Sequence, residues 1–179
     1  MPTWKSRGLR GSFLEEIINI TNEKYATNHL ALIQKIPTPI TPINMDSKTK
    51  QITLAYFDKK STVDYIGAAQ GIPICFDAKE CNAASFSLQN IHEHQVTFMQ
   101  EFQKQGGIAF FLIYFKQSDQ YYYLRLDELM AFWNRAKEGG RKSFRIEELN
   151  SDFFIENAKP VFIPYLNYIN KDLLLSKEK

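Results

Sequence analysis

Apolar residues recur along the chain with two periods, and each change of period marks a change of element. From Ser12 to about Tyr25, the residues Leu14, Ile17, Ile18, Thr21 and Tyr25 fall at the three- and four-residue spacing of an amphipathic helix. Ser12 with Glu15 three residues on is a capping-box pattern, in which Glu15 would bond back to the cap residue's amide. Residues 30–36 read as a short strand ended by Pro37-Thr38-Pro39, residues 41–50 as a polar, proline-containing loop or hairpin tip that projects from the domain, and residues 51–57 as a second strand. Residues 72–79, IPICFDAK, read as a further strand, and a hairpin turning at Gly67/Gly71 would bring Asp64 back beside it. From Ser85 the spacing is helical, with Leu88, Ile91, Phe98 and Phe102 recurring on one side and Gln95 in the same stripe. Residues 108–115 are apolar on both faces, as in a buried central strand, and residues 121–126 are its neighbour across a polar turn. Residues 127–137 form a helix that buries Leu129, Met130, Phe132 and Trp133 and stops at Gly139-Gly140. The remainder is aromatic-rich and without clear periodicity. Helices interleaved with hairpin-linked strands predict an α/β fold on a mixed sheet, a single domain over residues 1–179 with no internal repeat.

Composition narrows this picture. A chain of 179 residues, 44% of them hydrophobic, suits one compact domain with a proper core. The net charge of +2 gives no global cationic field, but basic residues cluster at Lys5, Arg7 and Arg10, at Lys48, Lys50, Lys59 and Lys60, and at Arg135, Lys137, Arg141, Lys142 and Arg145. Such local patches can grip a phosphate backbone, although each alone is more often a solvated face. Cys75 and Cys81 have neither zinc spacing nor the pattern of a disulfide framework, which points to a reducing compartment. The longest apolar run, residues 108–115, has strand length rather than membrane length, and the first residues are too polar for a cleavable leader. The expectation is a cytoplasmic protein with no membrane partner.

The candidate chemistry lies between Asp64 and Lys79. In a strand, Asp77 and Lys79 point the same way, roughly 6–7 Å apart at their Cα atoms, which leaves room for a metal ion and a water. With Asp64 returned by the hairpin, the pattern Asp-x12-Asp-x-Lys is that of a divalent-metal phosphodiesterase. The bland alternative, a surface ion pair on an edge strand, is the commoner outcome of such a spacing and contributes little to stability. Gln95, in an apolar stripe, needs hydrogen-bond partners, because an unsatisfied buried amide costs about 1–3 kcal/mol. Those partners are backbone groups or the carboxylate pocket. His92 and His94 fall on other faces of the same helix, where surface positions are the usual outcome.

Several stretches together resemble the RecU-type Holliday-junction resolvases of the PD-(D/E)XK nuclease superfamily. They are Arg10-Gly11 with Glu15, then Asn22 and Tyr25, Lys35-x-Pro37-Thr38-Pro39, Ala55-Tyr56-Phe57, Ser61-Thr62-x-Asp64-Tyr65-x-Gly67, Phe76-Asp77-Ala78-Lys79-Glu80, Phe86-x-Leu88-x-Asn90-x-His92-x-His94-Gln95, Gly107-Ile108 and Gly139-Gly140-Arg141-Lys142-Ser143. They occur in family order across almost the whole chain. Asp77 stands where these enzymes usually carry glutamate. The resemblance implies a restriction-endonuclease-like mixed sheet flanked by helices, with a short projecting stalk at about residues 41–50. It implies a homodimeric endonuclease dependent on Mg²⁺, with Mn²⁺ as a substitute, that cuts four-way DNA junctions in recombination and repair. A strand-exchange recombinase or branch-migration machinery is a further partner of this reading. By position, Asp64, Asp77 and Glu15 become metal ligands, Lys79 the motif lysine, and Gln95 an active-site helix residue that can position water. Arg10, Thr62, Arg141 and Lys142, with Lys48 and Lys50 on the stalk, become DNA contacts. Two other readings fit the same residues: a junction-binding accessory protein that does not cut, and a less selective duplex endonuclease.

Overall fold

A computed structural model describes residues 13–57, 62–159 and 162–177 of the chain. Arg10, the cap residue Ser12 and the basic residues Lys5, Arg7, Lys59 and Lys60 lie outside the described residues. Helix α1 (Phe13–Thr27) buries Leu14, Ile17, Ile18, Thr21 and Tyr25, the stripe its spacing predicts, together with Asn22. The polar members of that stripe hold a distant segment: Thr21 Oγ1 accepts from the Ile163 amide at 3.0 Å, and Asn22 Oδ1 accepts from the Tyr165 hydroxyl. Strand β1 (Leu32–Lys35) follows, and then β2 (Ile40–Asp46) and β3 (Gln51–Phe57), which pair only with each other.

The projecting segment is therefore a two-stranded ribbon over residues 40–57, the hairpin alternative of the sequence reading, with residues 41–46 of the expected projection already in strand. Two features hide it from local pattern. Pro42 cannot donate to a ladder, and the pairing slips between Pro42 and Asn44 and again between Asn44 and Met45, so simple alternation is lost. Asp46 closes the tip by accepting from the Lys48 amide at 2.8 Å.

Strands β4 (Tyr65–Ala69) and β5 (Ile72–Cys81) form the expected hairpin. Its turn is Gln70-Gly71, both at positive φ (50° and 85°), the backbone of a two-residue type I′ turn. Gly67 is not part of that turn. It sits inside β4 opposite Ile33 of β1, and a Cβ there would lie 2.1 Å from the Leu32 carbonyl oxygen.

After β6 (Ser85–Ser87), a 3-10 turn at Leu88–Asn90 leads to α2 (Glu93–Lys104). The helix thus begins at Glu93 rather than Ser85, because residues 85–87 are drawn into a ladder with a segment far along the chain and Ser87 caps the 3-10 turn. Leu88 and Ile91 are buried, but from the turn; the buried face of α2 is Gln95, Val96 and Met99. Strands β7 (Ile108–Phe115) and β8 (Gln120–Arg125) and helix α3 (Leu126–Lys137) lie close to their expected limits, and Gly139 ends α3 at a φ of 89°. Strand β9 (Ser143–Arg145) pairs with β6, and α4 (Leu166–Lys177) closes the fold. No periodicity announces α4, because its buried face includes a charge: Asp172 is bound by Arg125 Nε at 2.7 Å and the Tyr123 hydroxyl at 3.1 Å.

The main sheet has five strands in the order β1-β4-β5-β7-β8, with β5 and β7 parallel and all other pairs antiparallel. It is a mixed sheet with two helices on each face. On the α1 and α4 side, Tyr65, Phe76, Phe110 and Tyr123 stack ring on ring across four adjacent strands, at 4.7, 4.9 and 4.2 Å between centroids. On the other side, α2 meets β5 through Gln95, and α3 meets β8 through Glu128, which accepts from the Tyr122 hydroxyl. Among the described residues, no helix is long and apolar enough to cross a membrane.

Because backbone blocks the space beside Gly67, Gly67→Ala must push β1 away from β4. We expect a loss of about 1–3 kcal/mol of stability, read as a lower urea midpoint with the denaturant slope unchanged. A midpoint equal to wild type would show that β1 moves freely.

Candidate active site

Strand β5 is central, and its two rows of side chains do different work. Ile74, Phe76, Ala78 and Glu80 face α1, where Glu80 accepts from the Leu14 amide at 2.8 Å. Cys75, Asp77, Lys79 and Cys81 face α2. Asp77 pairs with Phe111 of β7, lies one residue past the end of the β4 ladder, and is 0% exposed. That burial excludes the solvated pair on an edge strand.

Three groups converge on the Asp77 carboxylate. The Lys79 ammonium lies 2.6 Å from Oδ2, with the lysine side chain 19% exposed. Asp64, just before β4, is placed beside Asp77 by the hairpin register, and its own Oδ2 accepts from the Ala78 amide at 2.9 Å. Gln95 Nε2 donates to Asp77 Oδ1 at 2.8 Å. Gln95 Oε1 in turn accepts from the His92 amide at 3.1 Å, as the return half of a capping box at the start of α2. Both expected kinds of partner for Gln95 are therefore present. Since its oxygen is bound to an N–H, its amino group is directed at the carboxylate, and Gln95 orients Asp77. His92 is exposed and stacks on His94 at 5.5 Å, at the lip of this cluster.

Burial raises the Asp77 pKa from 3.8 to about 7; the negative charge of Asp64 adds to the rise, and Lys79 opposes it. Asp77 Oδ2 is enclosed without a well-aligned hydrogen-bond donor, despite the nearby ammonium. A buried, under-compensated carboxylate oxygen beside a second carboxylate fits a hard divalent cation. Mg²⁺ takes one or two carboxylates and completes its shell with water and phosphate oxygens.

The other predicted residues are distributed as follows. Glu15 is bound to Lys35 Nζ at 2.9 Å, and its backbone carbonyl accepts from the Tyr65 hydroxyl. Among the described residues, no set of three or more His, Cys, Asp or Glu side chains is grouped so as to hold a metal ion. Thr62 is half-buried two residues before Asp64, and Lys48 and Lys50 are exposed at the ribbon tip. Arg141 is 3.3 Å from Glu148, which also binds Arg135. The Lys142 side chain is exposed, while its carbonyl accepts from the Leu88 amide at 3.1 Å. Sequence reasoning misses the part played by Lys35, Glu148 and the His92 amide. Their partners lie on other elements or in the backbone, and the only local trace is Gln95 three residues after His92.

The raised Asp77 pKa has a sign that can be measured. Between about 3.8 and 7 the unfolded chain releases a proton that the folded chain keeps, so this group lowers stability as pH rises through that window. Metal-free Asp77→Asn should therefore melt above the wild type at pH 8, with the gain shrinking toward pH 4. Thermal melts in chelator across that range check it; a variant that melts below wild type at pH 8 would mean that the Lys79 pairing outweighs burial.

Residues 9–171 match the family described as Recombination protein U (RecU). Three proteins named Holliday junction resolvase RecU are similar to this chain over most of both lengths. The one from Bacillus subtilis (strain 168) is 39% identical over 176 residues, 94% of this chain and 81% of that protein. The one from Pediococcus pentosaceus is 40% identical over 169 residues, covering 92% and 84%. The one from Oenococcus oeni is 39% identical over 166 residues, covering 90% and 83%. With the family match spanning nearly its whole length and the Asp64, Asp77 and Lys79 cluster at the centre of its mixed sheet, this chain belongs to the RecU family.

Proposed function

We propose that this protein is a Mg²⁺-dependent endonuclease that resolves four-way (Holliday) DNA junctions by paired nicks. The observation that carries the reading is the buried Asp77 carboxylate with an under-compensated oxygen, set beside Asp64 and Lys79. The name of its relatives, Holliday junction resolvase, supplies the substrate. Asp64 and Asp77 would hold the ion, and Mn²⁺ would serve in its place. When bound, the ion supplies polarisation of the phosphoryl oxygen and acidification of a water. The chain's own residues supply the rest. Gln95 fixes the carboxylate plane of Asp77 through Oδ1 and leaves Oδ2 to the Lys79 side of the cluster. Lys79, partly exposed, faces outward from the same row and meets the charge that develops on the phosphate. Glu15 is more distant in role, since its carboxylate is engaged by Lys35.

The non-cutting alternative is disfavoured by energetics. A binding module has no use for a buried carboxylate whose pKa is raised to about 7, because apolar replacement of a buried ionic group is commonly neutral or stabilising. We further propose a homodimer. A junction has two-fold symmetry, each chain carries one Asp64/Asp77/Lys79 cluster, and an isologous dimer presents two such sites about one axis. The β2–β3 ribbon then extends toward the junction, with Lys48 and Lys50 at its tip for phosphates.

A mobile four-way junction compared with linear duplex, with and without Mg²⁺, tests the activity; selective, metal-dependent cutting is expected. Asp77→Asn and Asp64→Asn should abolish cutting while junction binding is retained or tightened, since a charge repelling the phosphates is removed. Full cutting by either variant would remove the site.

Glu15→Gln should keep cutting within about fivefold of wild type, the size of effect that loss of a partly exposed ion pair allows. A fall of several orders of magnitude with unchanged stability would make Glu15 a ligand instead. Light scattering should give a dimer at micromolar concentration, and deletion of residues 41–50 should weaken junction binding in a chain that still folds. A strict monomer that nicks one strand per binding event would defeat the dimer proposal.

A further inference from the structure

A second recess opens beside the element that positions the catalytic carboxylate. Leu88 and Ile91, from the turn before α2, and Trp133 and Ala136, from α3, give an apolar floor to a cavity of about 410 Å³, a volume usual for small-ligand sites. Lys137 and Lys142 stand at its rim and are exposed. Gln89 and Glu93 complete the wall with hydrogen-bonding groups. Leu88 and Ile91 are 5% and 3% exposed, so the floor is fixed, while the Trp133 indole is only half-buried.

This combination matches one chemistry. A nucleobase offers a flat apolar face for an indole and a polar edge for amide and carboxylate groups, and its flanking phosphates call for cations. The position adds a second argument. The Lys142 carbonyl accepts from the Leu88 amide at 3.1 Å, which joins the loop after α3 to the turn before α2. Ile91 is followed directly by His92, whose amide holds Gln95, and Gln95 holds Asp77. The recess and Gln95, which holds the catalytic carboxylate, are thus built on the two ends of one short segment.

We propose that this recess receives one unstacked nucleotide of the strand being cut, next to the scissile phosphodiester. Trp133 stacks on its base, and Lys137 and Lys142 hold adjacent phosphates. The fit of that base then selects where along a junction the strand is cut. Unstacking costs least where base pairing is already interrupted, and a branch point supplies such a nucleotide. The inference rests on the resolvase reading and adds to it a determinant of cleavage position.

Tryptophan occurs only at positions 4 and 133, so Trp4→Phe leaves Trp133 as the sole indole reporter. In chelator, saturation of this variant with a four-way junction should quench Trp133 emission. Junctions with abasic residues flanking the branch point should bind but not quench. In Mg²⁺, Trp133→Leu should lower cutting at preferred positions about tenfold and spread the cuts, with Trp133→Phe restoring the wild-type map. Emission that does not change on a bound junction overturns the proposal, as does an unaltered cleavage map in a folded Trp133→Leu. Base-dependent quenching without any cutting by the wild type would uphold the recess and count against the resolvase reading alone. Quenching by abasic and intact junctions alike would point to an adjacent contact and overturn the base-binding role.

Discussion

A carboxylate buried at the centre of the sheet is the constraint around which the molecule is arranged. An unpaired charge in that position would cost several kcal/mol. The fold meets this cost only in part. Lys79 supplies one positive charge and Gln95 one hydrogen bond, but Asp64 adds a second negative charge, and the Asp77 pKa settles at about 7. Two carboxylates against one ammonium leave the pocket short of positive charge. On the proposed reading a divalent cation makes up the difference, so the same imbalance that weakens the fold would prepare the site.

That imbalance is tolerable because the opposite face of β5 is strongly packed. Tyr65, Phe76, Phe110 and Tyr123 form a continuous stack across the sheet, and Tyr165 packs against it. Aromatic pairs contribute about 0.5–1.5 kcal/mol each beyond the area they bury. The alternation of a single strand separates two tasks: even-numbered side chains stabilise, and Asp77 and Lys79 face the candidate site. Asn22 and Tyr25 of α1 belong to the stabilising side, since they bind Tyr165 and the Ile163 carbonyl. Their appearance among the family motifs reflects structure rather than chemistry.

What was legible in the sequence follows from the range of the interactions that set it. The α1 stripe, the doubly apolar β7 and the end of α3 at Gly139 are fixed by local periodicity and local backbone chemistry. Asp77 and Lys79 could be placed on one face because strand geometry alone requires it. The start of α2 could not, since Ser85 to Ser87 pair with Ser143 to Arg145 and leave the helical register. Helix α4 was hidden by Asp172, which reads as a surface residue until Arg125 and Tyr123 enclose it. The extent of the β2–β3 ribbon was hidden by two register slips. Glu15 shows the remaining limit: a carboxylate at the right place in a motif is bound to Lys35, twenty residues away in the chain.

Charge placement gives the last link between fold and selectivity. At a net charge of +2, long-range attraction to DNA is weak, so affinity has to come from cations set at particular places. Among the described residues these are unevenly committed. Glu148 engages both Arg135 and Arg141, which turns two of the basic residues in that cluster toward holding the loop after α3. Lys48 and Lys50 stand on the ribbon, and Lys137 and Lys142 at the recess between α2 and α3, on separate elements. Cations arranged in one stripe would favour any duplex that lay along it. On the proposed reading, cations divided between a projecting ribbon and a recess beside α2 suit DNA that changes direction, as a four-way junction does at its branch point. The weak overall field would then favour selectivity, because it gives linear duplex little sequence-independent grip.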